Sequence, residues 1–140
     1  MARDPRWGRV AEGYGEDPYT NAVFGVASIK GYQGEDMSDS KRVAACLKHY
    51  IGYGASEAGR DYVYTEISNQ TLWDTYIPPY EAGVKAGAAT LMSSFNDISG
   101  TPGSANHYTL FQTGLQYRNL LTRAMLPTAK KLPVWLSTPA

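Results

Sequence analysis

Val43-Ala44-Ala45-Cys46-Leu47-Lys48-His49 is the stretch on which the fold turns. It is an apolar run that ends abruptly in a cation and an imidazole. A run this short has the length of a strand buried on both faces, as in a parallel sheet. Polar residues at the C-terminal ends of such strands are where an α/β barrel keeps its chemistry. Lys48 and His49 therefore lead the candidate residues. In an extended chain the two point to opposite faces. If the strand has already ended, both can grip neighbouring hydroxyls of one ligand. A solvated lysine beside a satisfied core histidine reads equally well at this point.

The segments on either side supply the alternation that a parallel sheet needs. Asp17-Pro18 is a helix start, with proline at the first helical position. The helix runs to about residue 31, with Val23, Val26, Ala27 and Lys30 at helical intervals. Gly31, Gly34 and the acidic, serine-containing residues 35–40 form a turn or loop. After the strand at 43–49 comes a loop with Gly52, Gly54 and Gly59. Ser68 is a good N-cap for a helix beginning at Asn69. Pro78-Pro79 should break that helix and begin a second piece over 80–85. Residues 88–95 read as a second apolar strand, followed by a turn at 99–103. Helix and strand alternate, so the class is α/β. Two strands cannot close a barrel, which takes about 250 residues.

Bulk properties exclude several classes of function. The 140 residues are enough for one small domain, 43% hydrophobic and 19% charged. Thirteen basic residues balance thirteen acidic ones, so charge makes no case for nucleic acid or an anionic membrane. No apolar run approaches the roughly 20 residues of a membrane-spanning helix. Cys46 is the single cysteine, which excludes an internal disulfide and a multi-cysteine zinc site. Lying inside the apolar run, it is expected to be buried and inert. His49 and His107 lack metal-ligand spacing, and neither a Walker loop nor a dinucleotide fingerprint occurs. No metal or cofactor is expected. Asn69-Gln70-Thr71 matches a glycosylation sequon, but it falls at a helix start. The N-terminus shows no signal-peptide pattern and reads as the middle of a domain.

Arg9 stands in Asp4-Pro5-Arg6-Trp7-Gly8-Arg9, with Glu12, Glu16 and Asp17 close behind. A carboxylate can hold a guanidinium in a fixed fork, and such an arginine can hydrogen-bond vicinal hydroxyls. Composition alone favours a structural ion-pair loop. Met92 and Phe95 near the second strand's end are usual core types, but could also line an apolar sugar face.

In combination these segments are far more specific. Asp4-Pro5-Arg6-Trp7-Gly8-Arg9, Glu12 and Glu16-Asp17-Pro18 come first, then Lys48-His49-Tyr50 and Met92-Ser93-Ser94-Phe95-Asn96. The series resembles glycoside hydrolase family 3 in order and spacing. Residues 53–64 and Pro78-Pro79-Tyr80-Glu81-Ala82-Gly83 are similar to its β-glucosidase branch. The resemblance covers residues 2 to about 110. It implies a partial, incomplete (β/α)8 TIM-type barrel in residues 1–110. It also implies hydrolysis of β-linked glucosides or related saccharides from non-reducing ends, typically with retention, in carbohydrate metabolism. Arg9, Lys48 and His49 would bind hydroxyls of the sugar being cleaved, and Met92 and Phe95 would line the same subsite. Phe95 often corresponds to a tyrosine in relatives, so a hydroxyl contact is missing here. Arg60 is a weaker carry-over, orienting the nucleophile region. The family's N-acetylglucosaminidase branch has a proline and a second histidine after Lys-His. This chain reads Tyr50-Ile51-Gly52-Tyr53-Gly54 instead. Relatives are often periplasmic or secreted. The oligomeric state is left open.

A retaining glycosidase needs two carboxyl groups about 5–5.5 Å apart. The family's nucleophile is the aspartate of a Ser-Asp-Trp motif, which does not occur here, and its acid/base usually lies in a later domain. No catalytic residue is therefore assigned. Every Asp and Glu lies at or before Asp97, whereas Arg118, Arg123, Lys130 and Lys131 follow Phe111. Phe111-Gln112-Thr113-Gly114 can be encoded TTT-CAG-ACT-GGN, which two bases on reads Ser-Asp-Trp. Residues 127–139 likewise admit codons whose shifted reading resembles downstream family sequence. Residues 111–140 are thus expected to be an aberrant, out-of-frame tail. The family's segment between Leu110 and Ser-Asp-Trp is also missing, so one simple shift is not enough. Two further readings stay open: a non-catalytic sugar-binding module, and a piece that complements a separately encoded remainder.

Overall fold

The computed structural model describes residues 1–112. Most of the tail read as out of frame, from residue 113 on, lies outside the described residues. Helix α1 (Pro18–Gln33) begins at the predicted place, where the Asp17 carboxylate accepts the Thr20 amide at 2.6 Å. This satisfies one of the orphan N–H groups of the first turn. The helix runs past Gly31 to Gln33 and stops at Gly34, whose φ of 58° an L side chain resists.

Strand β1 (Cys46–Tyr50) starts later than the apolar run suggests and continues past His49. Val43 is not in it because its amide donates to the Tyr32 carbonyl at 3.0 Å, tying it back to α1. Strand β2 (Thr90–Ser93) is likewise shorter than the expected 88–95. The two pair in parallel, with Cys46 opposite Thr90, Leu47 opposite Leu91 and Tyr50 opposite Ser93. The register breaks between Leu47 and Tyr50, so Lys48 and His49 lie in an irregular part of the strand. The Lys48–His49 and Tyr50–Ile51 peptide bonds are cis.

Cys46 corrects an expectation: it is exposed. Alternation along the strand turns Leu47 towards α3 (Ile77–Lys85), where it packs against Gly83, and leaves Cys46 open to solvent.

The double proline also acts differently. Helix α2 (Asn69–Thr71), capped by Ser68, passes into a π-helical stretch, Leu72–Tyr76, and then straight into α3. The Ile77 amide bonds to the Leu72 carbonyl across that wider turn. The prolines sit at the start of α3, where the missing N–H groups cost least, so the path bends through a π turn and is not broken. A hairpin, β3 (Asp97–Ile98) with β4 (Thr101–Pro102), follows β2. Its turn residues Ser99 and Gly100 both have positive φ, 48° and 81°, as a tight two-residue hairpin requires.

One buried glutamine stitches these elements together. The Gln33 side-chain carbonyl accepts the amides of Ala45 at 3.1 Å and Ala89 at 2.9 Å, and its amide donates to Gly87 at 2.8 Å. The end of α1 thereby fixes the starts of both parallel strands. The main core gathers Tyr50, Ile51, Leu72, Tyr76, Ile77 and Ile98 below the strand ends. A smaller cluster of Ala2, Trp7 and Tyr53 sits beside the site.

Candidate functional site

Arg9 opens a short 3₁₀ turn, Val10–Glu12. In that geometry positions three apart lie over one another, which brings Glu12 back under Arg9. The guanidinium meets the carboxylate in a two-pronged fork, Nε to Oε1 at 2.7 Å and Nη2 to Oε2 at 2.6 Å. Glu12 holds the Arg9 charge firmly and raises its pKa above the ordinary value, and Arg9 lowers that of Glu12. Of the carboxylates that follow Arg9 in sequence, Asp17 is engaged in capping α1.

Tyr53 stands at the centre of the group. It is 2% exposed, and the Arg9 guanidinium carbon lies 5.5 Å from its ring centroid. Trp7, His49 and Phe95 meet the Tyr53 ring edge to face at 5.2, 5.1 and 5.9 Å. Its hydroxyl donates to the Asp61 carboxylate. Burial first, then that carboxylate, pushes the Tyr53 pKa up to about 12.

His49 lies one residue before the end of β1, with Phe95 stacked on it at 6.2 Å and 30°. Partial burial lowers its pKa below 6.5, and the Arg9 and Lys48 cations add to the effect. The imidazole is therefore neutral at pH 7, with one donor and one acceptor nitrogen. Among the described residues its ring makes no hydrogen bond. Lys48 is exposed, forms no ion pair among the described residues, and lies near enough to act on both Glu12 and His49.

The structure thus brings together Arg9, Lys48, His49 and Phe95 from the sequence-predicted set. Met92, on β2, is 46% exposed and joins none of the buried clusters. Arg60 is exposed in the loop after β1, and its side chain makes no hydrogen bond or ion pair among the described residues. A cavity of about 360 Å³ between α1, β1 and α3 reaches Glu12, Lys48, His49 and Tyr53, while Arg9, Arg60, Met92 and Phe95 lie outside it. Beyond the predicted set, the group contains Tyr53 and its partners Asp61 and Tyr62. The signal for them was a tyrosine-rich loop directly after a strand end, the position where loops carry function.

A guanidinium, an ammonium and a neutral imidazole grouped beside an exposed phenyl ring suit a polyhydroxylated ring with one apolar face. Among the described residues, no group of three His, Cys, Asp or Glu could hold a metal ion. The nearby carboxylates are occupied, Glu12 by Arg9 and Asp61 by Tyr53.

A family model described as the glycosyl hydrolase family 3 N terminal domain matches residues 1–117. A periplasmic beta-glucosidase of Salmonella typhimurium is 40% identical over 110 residues, covering 79% of this chain and 14% of that protein. A beta-xylosidase of Formosa agariphila is 41% identical over 112 residues, covering 78% of this chain and 16% of that protein. The crystal structure of a beta-glucosidase from Listeria innocua in complex with glucose superposes with a TM-score of 0.79. At 38% identity it covers 86% of this chain and 17% of its own. The chain therefore spans less than a fifth of each of these relatives.

Proposed function

This chain belongs to glycoside hydrolase family 3, and we propose that residues 1–110 are the sugar-binding part of an incomplete β-glucosidase-type barrel. Arg9, Lys48 and His49 take hydroxyls of the sugar to be cleaved, and Phe95 meets its apolar face. Met92 lines the same subsite, and Arg60 orients the nucleophile region, once the neighbouring strands of a whole barrel are in place. The observation that supports this reading is the grouping of Arg9, His49 and Phe95 around Tyr53 at the strand ends. The ligand is a β-linked glucoside or related saccharide.

The whole reaction is a retaining double displacement. One carboxylate attacks the anomeric carbon as a second protonates the leaving oxygen; water then releases the sugar. No Ser-Asp-Trp is present in the 140 residues, and the carboxylates near Arg9 and Tyr53 are engaged in ion pairing or hydrogen bonding. The chain by itself therefore binds sugar without hydrolysing it. Residues 111–140 are an out-of-frame tail, which the coding sequence tests: the shifted frame should read Ser-Asp-Trp from Phe111.

Incubating the purified chain with p-nitrophenyl β-D-glucoside, against a buffer blank, tests the central assignment. No release of nitrophenol above the blank is expected. Turnover would mean that a carboxylate within these residues acts as nucleophile, and the assignment would fall. The engaged carboxylates also favour a second reading, a non-catalytic sugar-binding module. Sugar binding is common to both readings; a folded, strictly monomeric chain that binds glucose supports the module, and a chain that self-associates supports the incomplete barrel.

A further inference from the structure

We propose that Asp61 is a positioning residue for the sugar group: through the Tyr53 hydroxyl it fixes the ring against which Arg9 and His49 are set. The inference rests on the sugar-binding reading above. Arg9, His49 and Phe95 come from three separate segments, before α1, on β1 and after β2. Tyr53 lies against all three. The place of that ring therefore sets the spacing of the donors that read the sugar.

A buried phenol needs a partner for its hydroxyl, and the Asp61 carboxylate accepts that bond. A charged acceptor makes the bond stronger than a neutral one would. Among the described residues the Asp61 carboxylate has no ion pair, which leaves holding Tyr53 as its task. The hydroxyl bears on Arg9 as well: after Glu12, it helps to raise the guanidinium's pKa. Glu12 and Asp61 thus hold the Arg9–Tyr53 pair from its two ends. The loop delivers Asp61 against backbone preference. Ala58 and Tyr62, on either side of it, have φ of 56° and 57°, in the left-handed region that residues with a Cβ avoid. Local strain that persists beside a binding group points to a role in that group. Without the Asp61 acceptor the Tyr53 ring can tilt, and Arg9 and His49 lose the surface they share.

Glucose titrations of the 140-residue chain, followed by NMR through the His49 imidazole, test this as a double-mutant cycle. Asp61→Ala and Tyr53→Phe should each weaken glucose about fivefold, and the double variant should be no weaker than either single one. Asp61→Asn keeps an acceptor for the phenol and should recover most of the affinity. Without sugar, the His49 ring signals should move in both single variants, because they sense the tilt of the Tyr53 ring. Wild-type affinity in Asp61→Ala, losses that add in the double variant, or an Asp61→Asn variant as weak as Asp61→Ala overturn the positioning role and leave the sugar group standing. Where Asp61→Ala does not fold by circular dichroism, Tyr53→Phe decides: it keeps the packed ring, so unchanged affinity overturns the proposal. A wild-type chain that does not bind glucose overturns both readings.

Discussion

Arg9 shows how a single side chain acquires its role here. Its sequence position suits an ordinary ion pair; the 3₁₀ turn and Glu12 convert it into an oriented donor beside Tyr53. Glu12→Gln removes the charge that orients Arg9 and should weaken glucose binding about tenfold, measured by titration, with the fold unchanged by circular dichroism. His49 carries a pH prediction. Its folded pKa lies below 6.5, so on acidification the unfolded chain takes up the proton first. Its contribution to stability is full above pH 6.5 and is lost as the pH falls through the window below that value. An imidazole titration by NMR should give a His49 midpoint below 6.5; a higher midpoint would contradict the burial and cation effects described for it.

At the scale of elements, the stitch made by Gln33 is the least obvious and most consequential feature. Gln33→Leu leaves the Ala45 and Ala89 amides without their acceptor and should cost about 2–4 kcal/mol in urea unfolding. Gly59→Ala should also destabilise, because φ is 69° there and an added Cβ would lie 2.9 Å from the Trp7 amide nitrogen. The start of α1, the cap at Ser68 and the parallel pairing of the two apolar runs could be read from sequence, because capping residues and apolar runs are local signals. The strand limits could not, since the amide of Val43 is claimed by the distant carbonyl of Tyr32. The π turn before Pro78 and the role of Gln33 were likewise hidden, being settled by tertiary packing. Arg9 and His49 stand out in the sequence through motif order, and both lie against Tyr53 in the structure, whereas Tyr53 and Asp61 meet only once the loop has closed.

At the scale of the molecule, the described residues form an α/β layer whose parallel sheet has two strands. Among the described residues β1 and β2 have only each other as strand neighbours, although parallel sheets are ordinarily covered on both faces. Val43, Leu91 and Met92 are 63%, 37% and 46% exposed. Trp7 Nε1, Asn96 Oδ1 and Asp97 Oδ1 are buried with no partner among the described residues. Such open edges and apolar surface favour self-association. Sedimentation velocity should show mass rising with concentration, and a strictly monomeric chain would argue against the incomplete-barrel reading. Cys46 should react fully with a thiol reagent without denaturant, since it lies exposed on β1. The most direct measurement is a glucose titration of the wild-type chain and Arg9→Ala, followed through the His49 imidazole signal. Saturable shifts in the wild type, weakened about tenfold or more by Arg9→Ala, are predicted. A His49 signal indifferent to glucose, or one equally responsive without Arg9, would contradict the assignment of this group to sugar.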